Sequence, residues 1–91
     1  MPYSESYDIV AFKSRQHAFH FNQILRDGGI STQLMSTPRG VSLGCGISIR
    51  FSTYMTQRVI GLYKETSIEI IGFYHIEKTG NNLHISMIPV G

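Results

Sequence analysis

Tryptophan, cysteine and charged residues are scarce in this sequence, and the scarcity of cysteine in particular excludes some classes of protein. The 91 residues include no tryptophan and one cysteine, and 15% of them are charged. One cysteine excludes both an internal disulfide and a four-cysteine zinc site. No apolar segment approaches the length that spans a bilayer, and the N-terminal MPYSESYD lacks the features of a signal peptide. We therefore expect a cytoplasmic protein without membrane contact.

The charge balance argues against nucleic acid as a partner. The formal net charge is +2, and the basic residues are spread along the chain without forming a run. Phosphate backbones are bound by clustered lysine and arginine, which this sequence lacks. With 42% hydrophobic residues the chain can build a core. Its length predicts one small domain, residues 1–91.

The first third of the chain predicts a strand followed by a helix. A short apolar run, Tyr7–Phe12, is typical of a strand. Ser14 is suited to cap a helix over Arg15–Asp27, because its hydroxyl can accept a hydrogen bond from the first turn. Gly28 and Gly29 follow as a helix stop. One face of this helix collects His17, Ala18, Phe21, Ile24 and Leu25.

Two further strands are predicted on either side of a glycine-rich connection. Ile30–Met35 alternates apolar and polar residues, with Ile30, Thr32 and Leu34 on the inner side. After the connection, Ile47–Phe51 alternates in the same way. Both patterns are typical of half-buried strands.

A second helix and two more strands complete the prediction. Ser52 or Thr53 can cap a helix over Tyr54–Glu65. The inner face of this helix is predicted to hold Met55, Val59 and Leu62. Ile68–Ile76 is strand-like, and Leu83–Val90 returns beside it after a turn rich in glycine and asparagine.

The predicted element order is therefore β-α-β-β-α-β followed by one more strand. This is the order of the ferredoxin-like arrangement, in which two helices cover one face of an antiparallel sheet. We expect an α+β, ferredoxin-like sandwich with an additional C-terminal hairpin strand. The apolar stretch at residues 68–74 needs cover on both sides, which favours a homodimer.

The only cysteine lies in TPRGVSLGCG, residues 37–46, between two glycines. Gly40, Gly44 and Gly46 allow backbone conformations that other residues avoid, and the glycines beside Cys45 leave its sulfur uncrowded. A cysteine reacts as its thiolate, which nearby positive charge and hydrogen-bond donors stabilise. The pattern indicates an accessible, activated thiol.

Three neighbours are candidates to activate this thiol. Arg39 is the better cation, because Arg50 would point to the opposite face of a regular strand. Ser42 can donate a hydrogen bond to the sulfur. His17 can act as a base or a cation if the first helix packs beside the loop.

Other interpretations of these residues stay open. Free cysteine is among the most buried residue types, so Cys45 is also interpretable as a small core side chain. The glycine loop and Arg39 can instead hold a small anion on backbone amides. His17 and His20 have a spacing that can ligate a metal, but His17 falls on the apolar helix face. We predict no metal and no cofactor.

The cysteine loop and its flanks follow a pattern known from one protein family. That pattern is a Thr-Pro-Arg turn, a serine, Cys-Gly and a strand that ends in Arg-Phe. The matching residues are Thr37, Pro38, Arg39, Ser42, Cys45, Gly46, Arg50 and Phe51, with His17-Ala18 and Gly29-Ile30 at the ends of the first helix. The chain thus resembles the selenium/sulfur (Se/S) carrier protein-like family of small bacterial proteins. The resemblance covers residues 8–76 and leaves 77–91 as a C-terminal hairpin extension.

The resemblance implies a role in a sulfur relay or in selenium metabolism. Cys45 would accept sulfur or selenium as a persulfide or selenosulfide and pass it on, while Arg39 and the amides of residues 44–46 stabilise the charged species. Its partners would be a protein donor, such as a cysteine desulfurase-type enzyme, and a protein acceptor. The chain would then be a carrier rather than an enzyme. The alternative is a non-enzymatic regulatory or small-anion-binding oligomeric module in which Cys45 is structural.

Overall fold

The computed structural model describes residues 4–41 and 46–90. Five strands form one antiparallel sheet. They are β1 (Ser4–Phe12), β2 (Gln33–Ser36), β3 (Ile47–Phe51), β4 (Gly72–Thr79) and β5 (Asn82–Ile88). The helices are α1 (Arg15–Asp27) and α2 (Thr56–Lys64), the second preceded by a 3-10 turn at Thr53–Met55. The α+β class and the predicted order of elements are confirmed.

The central strand of the sheet is β1, which pairs with β3 on one side and β4 on the other. The full order is β2-β3-β1-β4-β5. With its fifth strand, this order is not the classic four-strand order of a ferredoxin-like sheet. Neither helix in the two described ranges has the length and apolar character needed to cross a membrane.

Helix α1 has the predicted bounds because both of its ends carry residues that terminate helices. Ser14 has an extended backbone, and its hydroxyl accepts a hydrogen bond from the amide of His17 at 3.2 Å. At the other end Gly28 donates back into the last turn. Gly29 then takes a left-handed φ of +81°, which favours glycine.

The main core lies between the sheet and the two helices, which cover the same face. Phe12 of β1 packs on Phe21 of α1, with ring centroids 6.0 Å apart. Tyr63 of α2 meets Phe73 of β4 at 5.7 Å in an edge-on arrangement, which aromatic rings prefer. The other buried members are Val10, Ala18, Leu25, Ile30, Ile49, Phe51, Val59 and Ile60.

A second, smaller core lies on the opposite side of the sheet, which we call the open face. Tyr7, Ile9 and Ile76 are buried there. Partly buried side chains that pack around them are Met35, Val41, Tyr74 and Ile85. Because Val41 belongs to the connection between β2 and β3, this connection covers part of the open face.

Strand β2 differs from the prediction in where it begins and in which of its side chains are buried. It begins at Gln33 rather than Ile30, although Ile30 is buried. Leu34, predicted to face inward, is 43% exposed. β2 is an edge strand, and α1 packs on β1 and β3, so Leu34 has no helix above it. The burial expected for Leu34 is therefore wrong, although its pairing with Ile49 places it on the helix side of the sheet. Met35, on the other side, packs on the open-face core.

The second helix and the third predicted strand also begin later than the pattern indicated. Ser52 caps the 3-10 turn through the amide of Tyr54, so α2 itself starts at Thr56. The strand predicted from Ile68 starts at Gly72, because residues 68 and 70 pack against the main core without joining the sheet ladder. The inner face of α2 holds Val59, with Met55 and Leu62 partly buried, as predicted.

Candidate functional site

The glycine loop between β2 and β3 is closed at its base by two hydrogen bonds. The amide of Thr37 donates to the carbonyl of Gly46 at 3.1 Å. The hydroxyls of Thr37 and Ser48 lie 2.7 Å apart, and both residues are buried. A buried hydroxyl without a partner would be unfavourable, so each hydroxyl needs the other. The two limbs of the loop are thereby held together where they leave the sheet.

Gly46 is required at this base by close packing. A Cβ on Gly46 would lie 2.9 Å from Oγ1 of Thr37 and 3.2 Å from the carbonyl oxygen of Phe12. Gly46 therefore lets the returning limb pass against Thr37 and the end of β1.

The outgoing limb of the loop runs across the open face as far as β5. A turn closes between Val41 and Pro38, whose carbonyl accepts from the Val41 amide at 3.0 Å. Val41 packs into the open-face core. Gly40 lies so close to Ile85 that an added Cβ would be 2.6 Å from the Ile85 Cδ1 atom. Arg39 between them is exposed.

Three of the predicted site residues, Ser42, Gly44 and Cys45, lie outside the described residues, so their predicted roles stay predictions. His17 is half-buried in the first turn of α1. It borders a hollow of about 80 Å³. The other residues of this hollow are Lys13, Ser14, Glu69 and Ile70. His17 thus lies on the helix side of the sheet, whereas the limb that carries Arg39 lies on the open face.

A second polar cluster, absent from the sequence-based predictions, is centred on Asp8 of β1. Asp8 is 2% exposed although it carries a carboxylate. It accepts hydrogen bonds from the hydroxyls of Thr56 and Thr53. Its Oδ1 also lies 2.6 Å from Nδ1 of His75, directly opposite on β4. The other ring nitrogen of His75, Nε2, is 3.1 Å from the Glu77 carboxylate.

These contacts make the Asp8 cluster a cross-link rather than a reactive centre. The hydrogen bond to Asp8 raises the pKa of His75 above its ordinary value, partial burial opposes this, and Glu77 adds to the rise. Both ring nitrogens of His75 are engaged, and the threonine hydroxyls bind the carboxylate. The cluster joins β1, β4 and the start of α2. The sequence signal for it was a carboxylate inside the apolar run YDIVAF, since buried charges require partners.

A third polar region surrounds Arg50 at the start of β1. The Arg50 guanidinium lies 3.9 Å above the Tyr7 ring and 2.7 Å from the Glu5 carboxylate. An open hollow of about 480 Å³ adjoins it. Its polar lining consists of Ser6, Tyr7, Ser31, Thr32, Gln33, Arg50 and Ser52. Within residues 4–41 and 46–90, no group of three or more histidine, cysteine, aspartate and glutamate side chains could hold a metal ion.

Comparison with known proteins identifies the family. The family described as "Putative Se/S carrier protein-like" has a model that matches residues 6–75 of the 91-residue chain. The match includes the whole glycine loop, Asp8 and His75. No curated protein and no solved structure was found to match the chain. Because the match covers well over half of the sequence, the chain belongs to this Se/S carrier protein-like family.

Proposed function

We propose that this protein is a selenium/sulfur carrier that accepts a chalcogen atom on Cys45 and relays it to a second protein. The observation that carries the proposal is the family match over residues 6–75, which contains the only cysteine of the chain. A carrier needs one nucleophilic sulfur and no bound cofactor. One thiol in a glycine-rich loop meets that need.

The loading step is a thiol exchange that balances without an external oxidant. The Cys45 thiolate attacks the outer sulfur of a donor persulfide, R–S–SH. The bond between Cys45 Sγ and that sulfur forms as the S–S bond of the donor breaks, and the donor leaves as its thiolate. For selenium the same attack falls on the selenium atom of R–S–SeH. An acceptor thiolate then attacks the outer atom on Cys45, which leaves as a thiolate again.

The described parts of the loop support this role. Both limbs are fixed, one through Val41 in the open-face core and the other through Gly46 against Thr37. Because both limbs are already anchored, they need not be ordered when a partner binds, which lowers the entropy lost on binding. Arg39 on the exposed limb supplies positive charge that favours a thiolate and a persulfide anion.

The donor we propose is a protein that carries a persulfide, such as a cysteine desulfurase-type enzyme, and the acceptor is a protein thiol. This exchange suits the cytoplasm, where thiols are kept reduced. We also propose that β1 to β4 and the two helices are a ferredoxin-like core, with β5 added at its edge. In support, β1 and β2 run parallel with β3 between them, since each is antiparallel to β3.

Intact mass spectrometry after incubation with a persulfide-generating desulfurase and cysteine tests the proposal. We expect the native protein to gain the mass of one sulfur atom, to lose it on reduction, and to gain nothing as Cys45→Ser. Arg39→Gln should slow loading, whereas Arg26→Gln, an exposed arginine at the far end of α1, should leave the rate unchanged. Unmodified wild-type protein under conditions that load a known persulfide acceptor would rule the carrier role out.

A second candidate is the small-anion-binding module, favoured by the hollow beside Arg50. Its hydroxyl and amide side chains can donate hydrogen bonds to phosphate or a carboxylate. However, Glu5 already neutralises the Arg50 guanidinium at 2.7 Å, so an incoming anion must displace a carboxylate. Phosphate that stabilises the wild type in thermal unfolding but not Arg50→Gln, together with a Cys45 that accepts no sulfur, would favour this candidate.

A further inference from the structure

Within residues 4–41 and 46–90, strand β5 is an edge of the sheet without the charged side chains that normally oppose pairing with another strand. Among the described strands it has one neighbour, β4, and it is seven residues long. Its sequence, NLHISMI, contains no lysine, arginine, aspartate or glutamate. Edge strands are normally short, charged or covered, because their free backbone groups invite another strand. The other edge, β2, follows this rule, since it has only four residues.

The hairpin that joins β4 to β5 determines which backbone groups of β5 are free. Gly80, with a φ of +60°, and Asn81 form a two-residue turn closed by Thr79 and Asn82. In such a turn the closing pair is hydrogen-bonded, and hydrogen-bonded pairs alternate along the ladder. The amide and carbonyl groups of residues 83, 85 and 87 therefore point away from β4.

The side chains of these same three residues lie on the open face. Ile85 packs into the open-face core, and Leu83 and Met87 alternate onto the same side. Leu83 is 45% exposed and Met87 is 72% exposed. The residues with free backbone groups are thus also the exposed apolar residues of the strand.

We propose that two copies of this chain pair antiparallel through β5, about a two-fold axis at Ile85. In this register Leu83 of one copy faces Met87 of the second, and Ile85 faces itself. The three facing pairs are hydrogen-bonding pairs on both strands, so they close the free amides and carbonyls of both edges. The pairing brings no like charges together and joins the apolar side chains into one ridge. A second copy is the favoured partner because, about a two-fold axis, the free backbone groups and apolar side chains of β5 match those of the same strand in the other copy.

The pairing brings the outgoing limbs of the two glycine loops to the centre of the dimer. Antiparallel pairing keeps both open faces on the same side of a continuous ten-stranded sheet. Gly40 of each copy rests on its own Ile85, and the two Ile85 residues are neighbours across the axis. If the proposed carrier function holds, on which this consequence rests, one docked partner would contact the outgoing limbs of both loops. The pairing itself does not depend on that function.

The contact is modest, so the dimer should dissociate on dilution. A seven-residue strand spans about 24 Å, and stable interfaces of standard size bury about 800 Å² on each partner. One strand and the ridge above it give a smaller interface than that. We expect a monomer–dimer equilibrium rather than a permanent dimer.

Sedimentation velocity in reducing buffer, over a wide range of protein concentration, tests the pairing. The mass should rise from the 10.3 kDa of one chain towards twice that value. Leu83→Lys alone and Met87→Glu alone should each weaken association about tenfold or more, because each desolvates a charge in the ridge. The control is Leu34→Lys on the other edge strand. Leu34 is exposed to a similar extent, at 43%, so its substitution should leave the equilibrium unchanged.

The double variant Leu83→Lys/Met87→Glu tests the register. Across the axis the new lysine and glutamate would be direct neighbours at about 5 Å, whereas within one strand they are about 13 Å apart. Association should therefore recover relative to either single variant. A monomer at all concentrations, or a dimer sensitive to Leu34→Lys and insensitive to the β5 variants, overturns the proposal. Circular dichroism confirms that each variant is folded.

Failure of the pairing and failure of the carrier function are distinguishable. Cys45→Ser should dimerise like the wild type although it accepts no sulfur. Met87→Glu should accept sulfur like the wild type although its self-association is weakened. Loss of the dimer in Cys45→Ser under reducing conditions would overturn pairing through β5, because that strand does not contain the cysteine.

Discussion

The two ends of strand β3 are specified in opposite ways. At its Phe51 end, polar side chains fix the structure, because Asp8 opposite holds His75 and the threonines that begin α2. At its Ile47 end, a missing side chain fixes the structure, because Gly46 lets the loop return against Thr37. The first end is joined by a buried carboxylate and its hydrogen bonds. The second is joined by close contact at Gly46 and by two neutral hydrogen bonds of Thr37, with no charged group among them. The comparison teaches that the absence of a side chain can fix the base of a loop as firmly as a buried charge can fix a strand end.

Among the variants that test this comparison, Asp8→Ala should have the largest effect on stability. Removing the carboxylate leaves the Thr56 hydroxyl and the His75 imidazole without their buried partner, which should lower the free energy of unfolding by about 3 to 5 kcal/mol. Urea denaturation followed by circular dichroism measures the change. Because the glycine loop lies at the other end of β3, sulfur loading on Cys45 should persist wherever the variant is folded.

Asp27 provides the matched control for Asp8. It is an exposed aspartate at the end of α1, and Gln23 donates to its carboxylate at 2.8 Å. Asp27→Ala should change stability by less than about 0.5 kcal/mol. Equal losses in the two variants would show that the buried cluster contributes nothing special. Asp8→Asn, which keeps the side-chain volume, serves if Asp8→Ala does not fold.

Gly46→Ala is the corresponding test at the loop end and should have an intermediate effect. The added methyl would lie 2.9 Å from the Thr37 hydroxyl and 3.2 Å from a backbone carbonyl, so the loop base must shift. Overpacking of this kind costs about 1 to 3 kcal/mol. Gly61→Ala is its control, because Gly61 is exposed in α2 with no atom within 4 Å of an added Cβ. There alanine should stabilise by up to about 1 kcal/mol.

The smallest expected effect is the pH dependence contributed by His75. Its pKa is raised in the folded protein, chiefly by the hydrogen bond to Asp8 and also by Glu77. The stabilisation is therefore complete below the unfolded-state pKa of about 6.5 and is lost as pH rises through the raised folded-state pKa. His75→Asn keeps a donor towards Asp8 but does not titrate. Its free energy of unfolding should fall less steeply above pH 6.5 than that of the wild type, and parallel curves would contradict this assignment.

The sequence carries most of the local structure of this chain. Hydrophobic periodicity and capping residues predicted both ends of α1 correctly. Ser14 and Gly29 mark these ends through interactions with residues close to them in sequence. The edge strand was harder. Leu34 alternates like a buried residue, yet it is exposed, because an alternating pattern does not say whether a helix will cover that part of the sheet.

Some features of the candidate site were also predictable from the sequence, and others were not. Glycine spacing identified the loop, and the close approach of Gly46 to Thr37 gives one of those glycines its physical reason. The pairing of Asp8 with His75 spans 67 residues and exists only once the register of β1 against β4 is known. The contact between Gly40 and Ile85 depends in the same way on the order of strands in the sheet. Such contacts leave no mark in the local sequence.

The contact of Gly40 with Ile85 also bears on where this protein can be shortened. The family segment ends at residue 75, halfway along β4, whereas the glycine loop rests on a residue ten positions further on. A chain that ended at residue 75 would lack Ile85 and the whole of β5, and therefore the contact with Gly40. The C-terminal hairpin thus supports the outgoing limb of the loop, and a shortened chain that keeps this contact must extend through β5.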